Sequence, residues 1–229
     1  MSELARPSAR QLTIAGFCLA LVLGGAFAGA ALTQHDPIFR LSPPPPKDAA
    51  PGTVMPADLS EAQRLDLHRT FFTAWAALLL LIPALCSFPF RSTSANAAGF
   101  WLVFWTASFI AFAVHLYWAV FVIFHGDWSQ ITKTTRVSAP VIDTVLAVWW
   151  ALDVLLAWSI PRENRLIRVE RTIVSILAFA LFVAGSAIEG EILLSRALGF
   201  SLGGAVVIAV LVSWARRSRG RALGPAPVR

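Results

Sequence analysis

The sequence predicts an all-α fold of the polytopic membrane class, a bundle of six transmembrane helices, and three observations carry that reading. The first is composition: 57% of the 229 residues are hydrophobic and only 14% charged, against about 25% charged in soluble domains, and the mean hydropathy is +0.67. The second is distribution. Windows 11–33, 71–90, 99–124, 141–160, 172–188 and 192–215 together hold only three of the charged residues, Asp143, Asp153 and Arg196. A hydrocarbon core about 30 Å thick needs roughly 20 apolar residues per helix and penalises charge. The third is the asymmetry of the basic residues. If each window crosses once, segments 1–10, 91–98, 161–171 and 216–229 share one side and hold 12 Lys and Arg, whereas 34–70, 125–140 and 189–191 hold 6. The positive-inside rule then puts both termini in the cytoplasm. No segment between windows is long enough for a second domain, so residues 1–229 read as one integral membrane domain.

Taken in order, window 11–33 follows Arg6 and Arg10 and contains Ala26, Phe27 and Ala28, which offers a cleaved signal peptide as an alternative. The window is longer than the 7–15 residues of a signal h-region, so an uncleaved first helix is expected. The outer segment 34–70 contains Pro43, Pro44, Pro45 and Pro46, then Lys47, Asp48, Pro51 and Gly52, and reads as an extended polyproline spacer. Residues 58–69 (DLSEAQRLDLHR) set Leu59, Leu65 and Leu67 among charges. With Ser60 as N-cap they predict a short interfacial helix ahead of the second span. Window 71–90 ends at Pro89, and the short RSTSANAAG turn returns window 99–124 antiparallel beside it. Trp101 suits an interfacial aromatic belt, while Trp105, Trp118, Trp149 and Trp150 lie deeper and are expected to pack, a quinone, lipid or pigment surface being the alternative. Gly25 with Gly29 and Gly199 with Gly203 form GxxxG pairs that permit close approach, within the chain or between copies. The two halves show no repeat, so the inverted-repeat argument for a transporter has no support.

A net charge of +6 and a pI near 10.6 raise nucleic-acid binding, but the arginines are scattered over short loops and topology accounts for them, so no nucleic-acid partner is expected. Arg162, Arg165, Arg168 and Arg171, with the tail residues Arg216, Arg217, Arg219 and Arg221, are expected to meet an anionic inner leaflet. Cys18 and Cys86 fall in the cytoplasmic halves of their windows, where no disulfide is expected. No CxxC or paired Cys/His spacing marks a zinc site.

Polar groups at membrane depth are the strongest candidates for a site. His115 and Asp153 qualify. Measured from helix midpoints they stand about 9 Å apart in depth at 1.5 Å per residue. An imidazole and a carboxylate facing one interior could relay a proton or hold a cation; the structural reading is a satisfied buried pair that fixes helix register. At the outer mouth, His68, Asp66, His125, Asp127, Trp128, Asp143, Glu189 and Glu191 share one level. Without HxxxH or HExxH spacing, a solvated acidic rim is expected there rather than a metal site, with Glu191 and Arg196 as an interfacial salt bridge. Haem b held by His68 or His125 with His115 is disfavoured, because His68 and His125 fall outside the hydrophobic span and His115 is a helix length of ten residues from His125. No cofactor is predicted. GxSxG, Walker, GxGxxG and HExxH patterns are absent, so an enzymatic reading has no motif behind it.

The stretch 124–153, FHGDWSQITKTTRVSAPVIDTVLAVWWALD, resembles a group of uncharacterised bacterial multi-spanning proteins through His125, Trp128, Ser129, Thr135, Trp150 and Asp153. These residues form a His-to-Trp-Ser motif (HGDWS, 125–129) leaving one helix, a Thr-containing loop and a Trp-rich next helix with an Asp. That pattern usually carries a second His after the W-S pair, where this chain has Gln130. The resemblance implies a bacterial membrane protein and no activity, and the expected location is the bacterial inner membrane. The expected role is an accessory or assembly subunit contacting the bilayer and other membrane subunits. The alternatives are a small proton-coupled carrier using His115 and Asp153, and a haem- or metal-binding redox protein.

Overall fold

The computed structural model describes residues 2–3, 6–39, 41, 60–133, 139–160, 162–190 and 192–222. The proline run 43–46, Leu59, Thr135 and Glu191 lie outside them. The described residues form seven α-helices: α1 (Ala9–Thr33), α2 (Glu61–Ser87), α3 (Ala95–Leu116), α4 (Trp128–Lys133), α5 (Pro140–Ser159), α6 (Arg165–Val183) and α7 (Leu193–Ala222). All but α4 are long and apolar enough to cross a membrane, so the fold is an all-α bundle of six spans and the protein is of the multi-pass membrane class. With an even number of spans, α1 starts and α7 finishes at one end of the bundle, called the base below. The loops after α1, α3 and α6 lie at the far end.

The helix starts follow local chemistry. Ser8 and Ser60 each close a capping box, with Gln11 and Gln63 returning the bond to the cap backbone. Gln11 also donates to the carbonyl of Asn96 at 3.0 Å, tying the start of α1 to the start of α3. Ser60 is the N-cap expected, but it opens no separate interfacial helix. With no breaker between Arg69 and Phe71, and with Thr70 and Thr73 donating to the carbonyls of Asp66 and Arg69, helical geometry runs from Glu61 through to Ser87. The second span is therefore a full turn or more longer than expected, and the loop taken as 34–70 ends at Ser60.

Two spans change register at the far end. α3 passes into a π-helix over Tyr117–Ile123 and α6 into another over Ala184–Ile188. The first ends at His125 and Gly126, with φ of 52° and 75°, so Gly126 serves as a left-handed stop before α4.

α2 is the axis of the bundle, packing on α1, α3 and α7. Its Ala76, Ala77 and Ala84 and α3's Ala98, Ala107 and Ala111 are all buried in one core cluster. Small side chains let the two backbones approach closely, and Ser108 donates to the carbonyl of Ala77 at 2.8 Å across that seam. α5 packs on α3 and α6 and separates two faces cleanly. Leu146, Trp150, Asp153 and Ala157 are buried, while Val141, Val145, Val148, Leu152 and Leu155 are exposed. Each set recurs at intervals of three and four residues, the spacing of one helix face. The glycine pairs divide rather than act together: a Cβ on Gly29 would stand 2.7 Å from the Phe72 ring and one on Gly199 would meet the Ala187 backbone, whereas Gly25 and Gly203 have open space. Of these four glycines, Gly29 and Gly199 are thus the contact points between elements.

Candidate functional site

α5 and α6 are joined at the base by a short turn, and that turn decides where their charges meet. Asp153 lies six residues before the end of α5 and Arg171 six residues after the start of α6. In an antiparallel hairpin both therefore stand at one level, about 9 Å in from the helix ends at 1.5 Å per residue. Arg171 Nε donates to Asp153 Oδ1 at 2.9 Å, and both side chains are fully buried. Trp105 of α3 donates its indole N–H to Asp153 Oδ2 at 2.7 Å, so each carboxylate oxygen receives one donor and three helices converge on one acid.

The cluster extends toward the base. Glu163, immediately before the Asn164 N-cap of α6, is 3% exposed and accepts from Arg171 Nη1. The Arg91 guanidinium in the turn between α2 and α3 stands 3.5 Å from the same Glu163 oxygen, and Arg168 stands 3.8 Å from the other. Arg91 itself lies 3.6 Å over the Phe88 ring and donates to the Phe88 carbonyl at 3.1 Å. Burial pulls the Arg91 guanidinium below its ordinary value, and the Glu163 carboxylate acts against that pull. Arg171 also covers the ring of Trp101 at 4.8 Å, a cation–π contact strengthened by the absence of water. Glu163 additionally belongs to a two-residue antiparallel pairing of Ser2–Glu3 with Arg162–Glu163, which draws the N-terminal segment to the same end.

Two members keep unused hydrogen-bonding capacity. Glu170 accepts from the indole N–H of Trp149 at 2.7 Å and lies within electrostatic reach of both Asp153 and Arg171. Its Oε2, and Nη2 of Arg171, are buried without a hydrogen-bond partner.

Asp153 is thus the one sequence candidate that organises a site, and its partner is Arg171 rather than His115. His115 is half-buried and engages the Thr70 carbonyl of α2 through Nδ1 at 2.8 Å. Between it and Asp153 runs an aromatic relay: Phe112 stacks on His115 at 6.1 Å and on Trp150 at 5.5 Å, and Trp150 lies 4.4 Å from Trp105. Arg171, expected to face the lipid headgroups, instead has no exposed surface, because leaving Asp153 unpaired in hydrocarbon would cost more than burying both. Trp101, expected in an interfacial belt, is fully buried beneath that guanidinium. Arg91, Glu163 and Glu170 were not singled out by sequence, and Trp105, expected to pack as a deep aromatic, also donates to the acid. The signal that finds Arg171 is its symmetric offset from the turn; the others belong to different loops and helices and leave no such pattern.

The outer-mouth candidates disperse. His68 is 1% exposed, with Nδ1 at 2.8 Å from the Arg64 carbonyl and Nε2 at 2.9 Å from the Phe39 carbonyl. Both ring nitrogens are occupied by backbone, which leaves neither for a haem or metal and pins the segment after α1 onto α2. His125 is exposed in its left-handed turn. Asp127 caps α4: its Oδ1 accepts from the Ser129 amide at 2.9 Å and its Oδ2 from the Gln130 side chain at 3.0 Å. The Ser129 hydrogen bonds hold the Asp127 carboxyl below its ordinary value. Trp128, the first residue of α4, is 45% exposed. Asp143 and Glu189 lie within electrostatic reach of each other, and Arg196 donates to the Gly190 carbonyl at 2.7 Å. Among the described residues no three His, Cys, Asp or Glu side chains gather at metal-binding spacing, and Cys18 and Cys86 are free thiols.

No family model matches the chain, and no curated protein or solved structure matches it either.

Proposed function

We propose that the chain is a multi-pass protein of a bacterial inner membrane, with both termini cytoplasmic, acting as an accessory or assembly subunit of a membrane complex. The observation supporting this is the use made of the deep charges. Asp153 and Arg171 are both committed to each other and, through Trp105 and Glu163, to neighbouring helices. Such a cluster closes the base of the bundle and favours a rigid body over one that opens and shuts. A rigid helical platform with an aliphatic outer stripe on α5 suits a subunit that presents a fixed surface to membrane partners. Native purification in a mild detergent followed by mass spectrometry is expected to recover stoichiometric membrane partners; a protein that runs alone overturns the reading.

A second reading, a small proton-coupled carrier, draws on the unpartnered Glu170 Oε2 and Arg171 Nη2 beside Asp153. Carboxylates at membrane depth with spare acceptor capacity are what a proton path requires. Under this reading Asp153→Asn abolishes a pH-dependent flux in proteoliposomes while the protein still elutes as a folded species; an unaltered pH response removes it.

A further inference from the structure

We propose that the base of the bundle carries a built binding site for the phosphate headgroup of an anionic phospholipid, in the cavity between the end of α2, the start of α3 and the end of α7. The cavity measures about 760 Å³, within the size range of ordinary ligand sites. Its position is the first argument. It opens at the level where the second span ends at Phe90 and the last at Arg219, the depth at which lipid headgroups sit.

Its lining is the second. Arg216 and Arg217 line the cavity together with Thr93 and Ser94, and no carboxylate is among the lining residues; Ser94 accepts from the Ala97 amide and keeps its O–H to donate. The floor is apolar, made by Pro83, Phe90 and Ala97, so the cavity is amphipathic in the same sense as a phospholipid. The third is that both arginines are already placed. Arg216 lies 5.5 Å over the Phe90 ring. Arg217 Nη2 donates to the Pro89 carbonyl at 2.7 Å, beside Ser213, whose hydroxyl donates to the same carbonyl at 3.1 Å. A guanidinium held by one edge keeps its remaining N–H groups for a phosphate, which it can engage in a planar fork. The Ser94 N-cap and Ala97 in the first turn of α3 line the same space, which brings the positive end of a 22-residue helix to its edge.

A basic pocket between transmembrane helices on the cytoplasmic side is a recognised way of holding an anionic headgroup. What distinguishes this site from a diffuse attraction of the tail is that charge, hydroxyls and apolar side chains line one half-open volume. The inference rests on the multi-pass reading of the chain and on the proposed cytoplasmic side of its termini, and on neither the accessory nor the carrier role.

The test uses the full chain in neutral detergent, with native mass spectrometry counting retained phosphatidylglycerol against phosphatidylcholine of the same acyl chains. The wild type is expected to retain phosphatidylglycerol preferentially. Arg216→Gln with Arg217→Gln should lower that preference about twenty-five-fold, from roughly fivefold per arginine. Ala97→Phe, which fills the floor and changes no charge, should lower it comparably, with circular dichroism verifying the fold of both variants. Equal retention of the two lipids overturns the proposal, as does a loss in the arginine variant that Ala97→Phe does not share, since that is charge attraction without a site. Displacement of the lipid by inorganic phosphate at equal concentration also overturns it, because the ligand is then a free anion.

Discussion

Asp153 receives a hydrogen bond on each carboxylate oxygen, from Arg171 and from Trp105, in a region where no water can replace either donor. Removing one partner of a buried ion pair costs about 3–5 kcal/mol, whereas replacing both with apolar groups is often close to neutral. Asp153→Ala is therefore expected to lower resistance to SDS unfolding, followed by tryptophan fluorescence, by that amount. Asp153→Leu with Arg171→Met should recover most of it, because Glu163 keeps Arg91 and Arg168; a double variant as weak as the single would mean the pair does more than satisfy itself. Trp105→Phe removes a hydrogen bond to a charged group and should cost about 1.5–3 kcal/mol in the same assay. Asp153 was visible in the sequence because an acid at membrane depth demands a partner. The partner's identity was not, because Arg171 sits one residue outside the apolar window and reads equally well as a loop cation.

At the scale of the element, the glycines separate into those that touch and those that do not. Gly199→Ala drives a methyl into the backbone of Ala187 and is expected to destabilise the α7 contact by about 1–3 kcal/mol. Gly203→Ala, in open space, should be neutral or stabilising by up to about 1 kcal/mol through helix propensity. Equal thermal shifts for the two in detergent would remove the distinction. The short helix α4 provides a pH-dependent element. The hydrogen bonds from Ser129 and Gln130 depress the Asp127 carboxyl, so their stabilisation is present above the ordinary carboxylate range and lost as pH falls through the lowered value. Hydrogen exchange over 128–133 should accelerate, relative to the intrinsic rate, on acidification below the ordinary carboxylate range, and Asp127→Ala should show that faster relative rate at all pH. The spacing of GxxxG was legible, but which glycine of each pair makes contact depends on the rotation of each helix, and a spacing does not specify that.

For the whole molecule, the arrangement of charges predicts an orientation that accessibility measures directly. A cysteine introduced at Ser129 in α4 should react with an impermeant maleimide in intact cells, and one at Ser218 near the end of α7 should react only after permeabilisation; the reverse pattern inverts the topology. The sequence by itself determined the number of spans, their approximate limits and the even count that brings both termini to one end. It could do so because the cost of exposing polar groups to hydrocarbon is paid residue by residue and is written in composition. It also marked Asp153 as out of place. Tertiary structure alone decided what satisfies that acid and how the second span extends back to Glu61. It decided too that His68 and His115 turn to backbone carbonyls rather than to each other or to Asp153. Those outcomes depend on depth, helix rotation and the side chains that neighbouring helices supply, and each is a relation between distant residues that no single stretch of sequence contains.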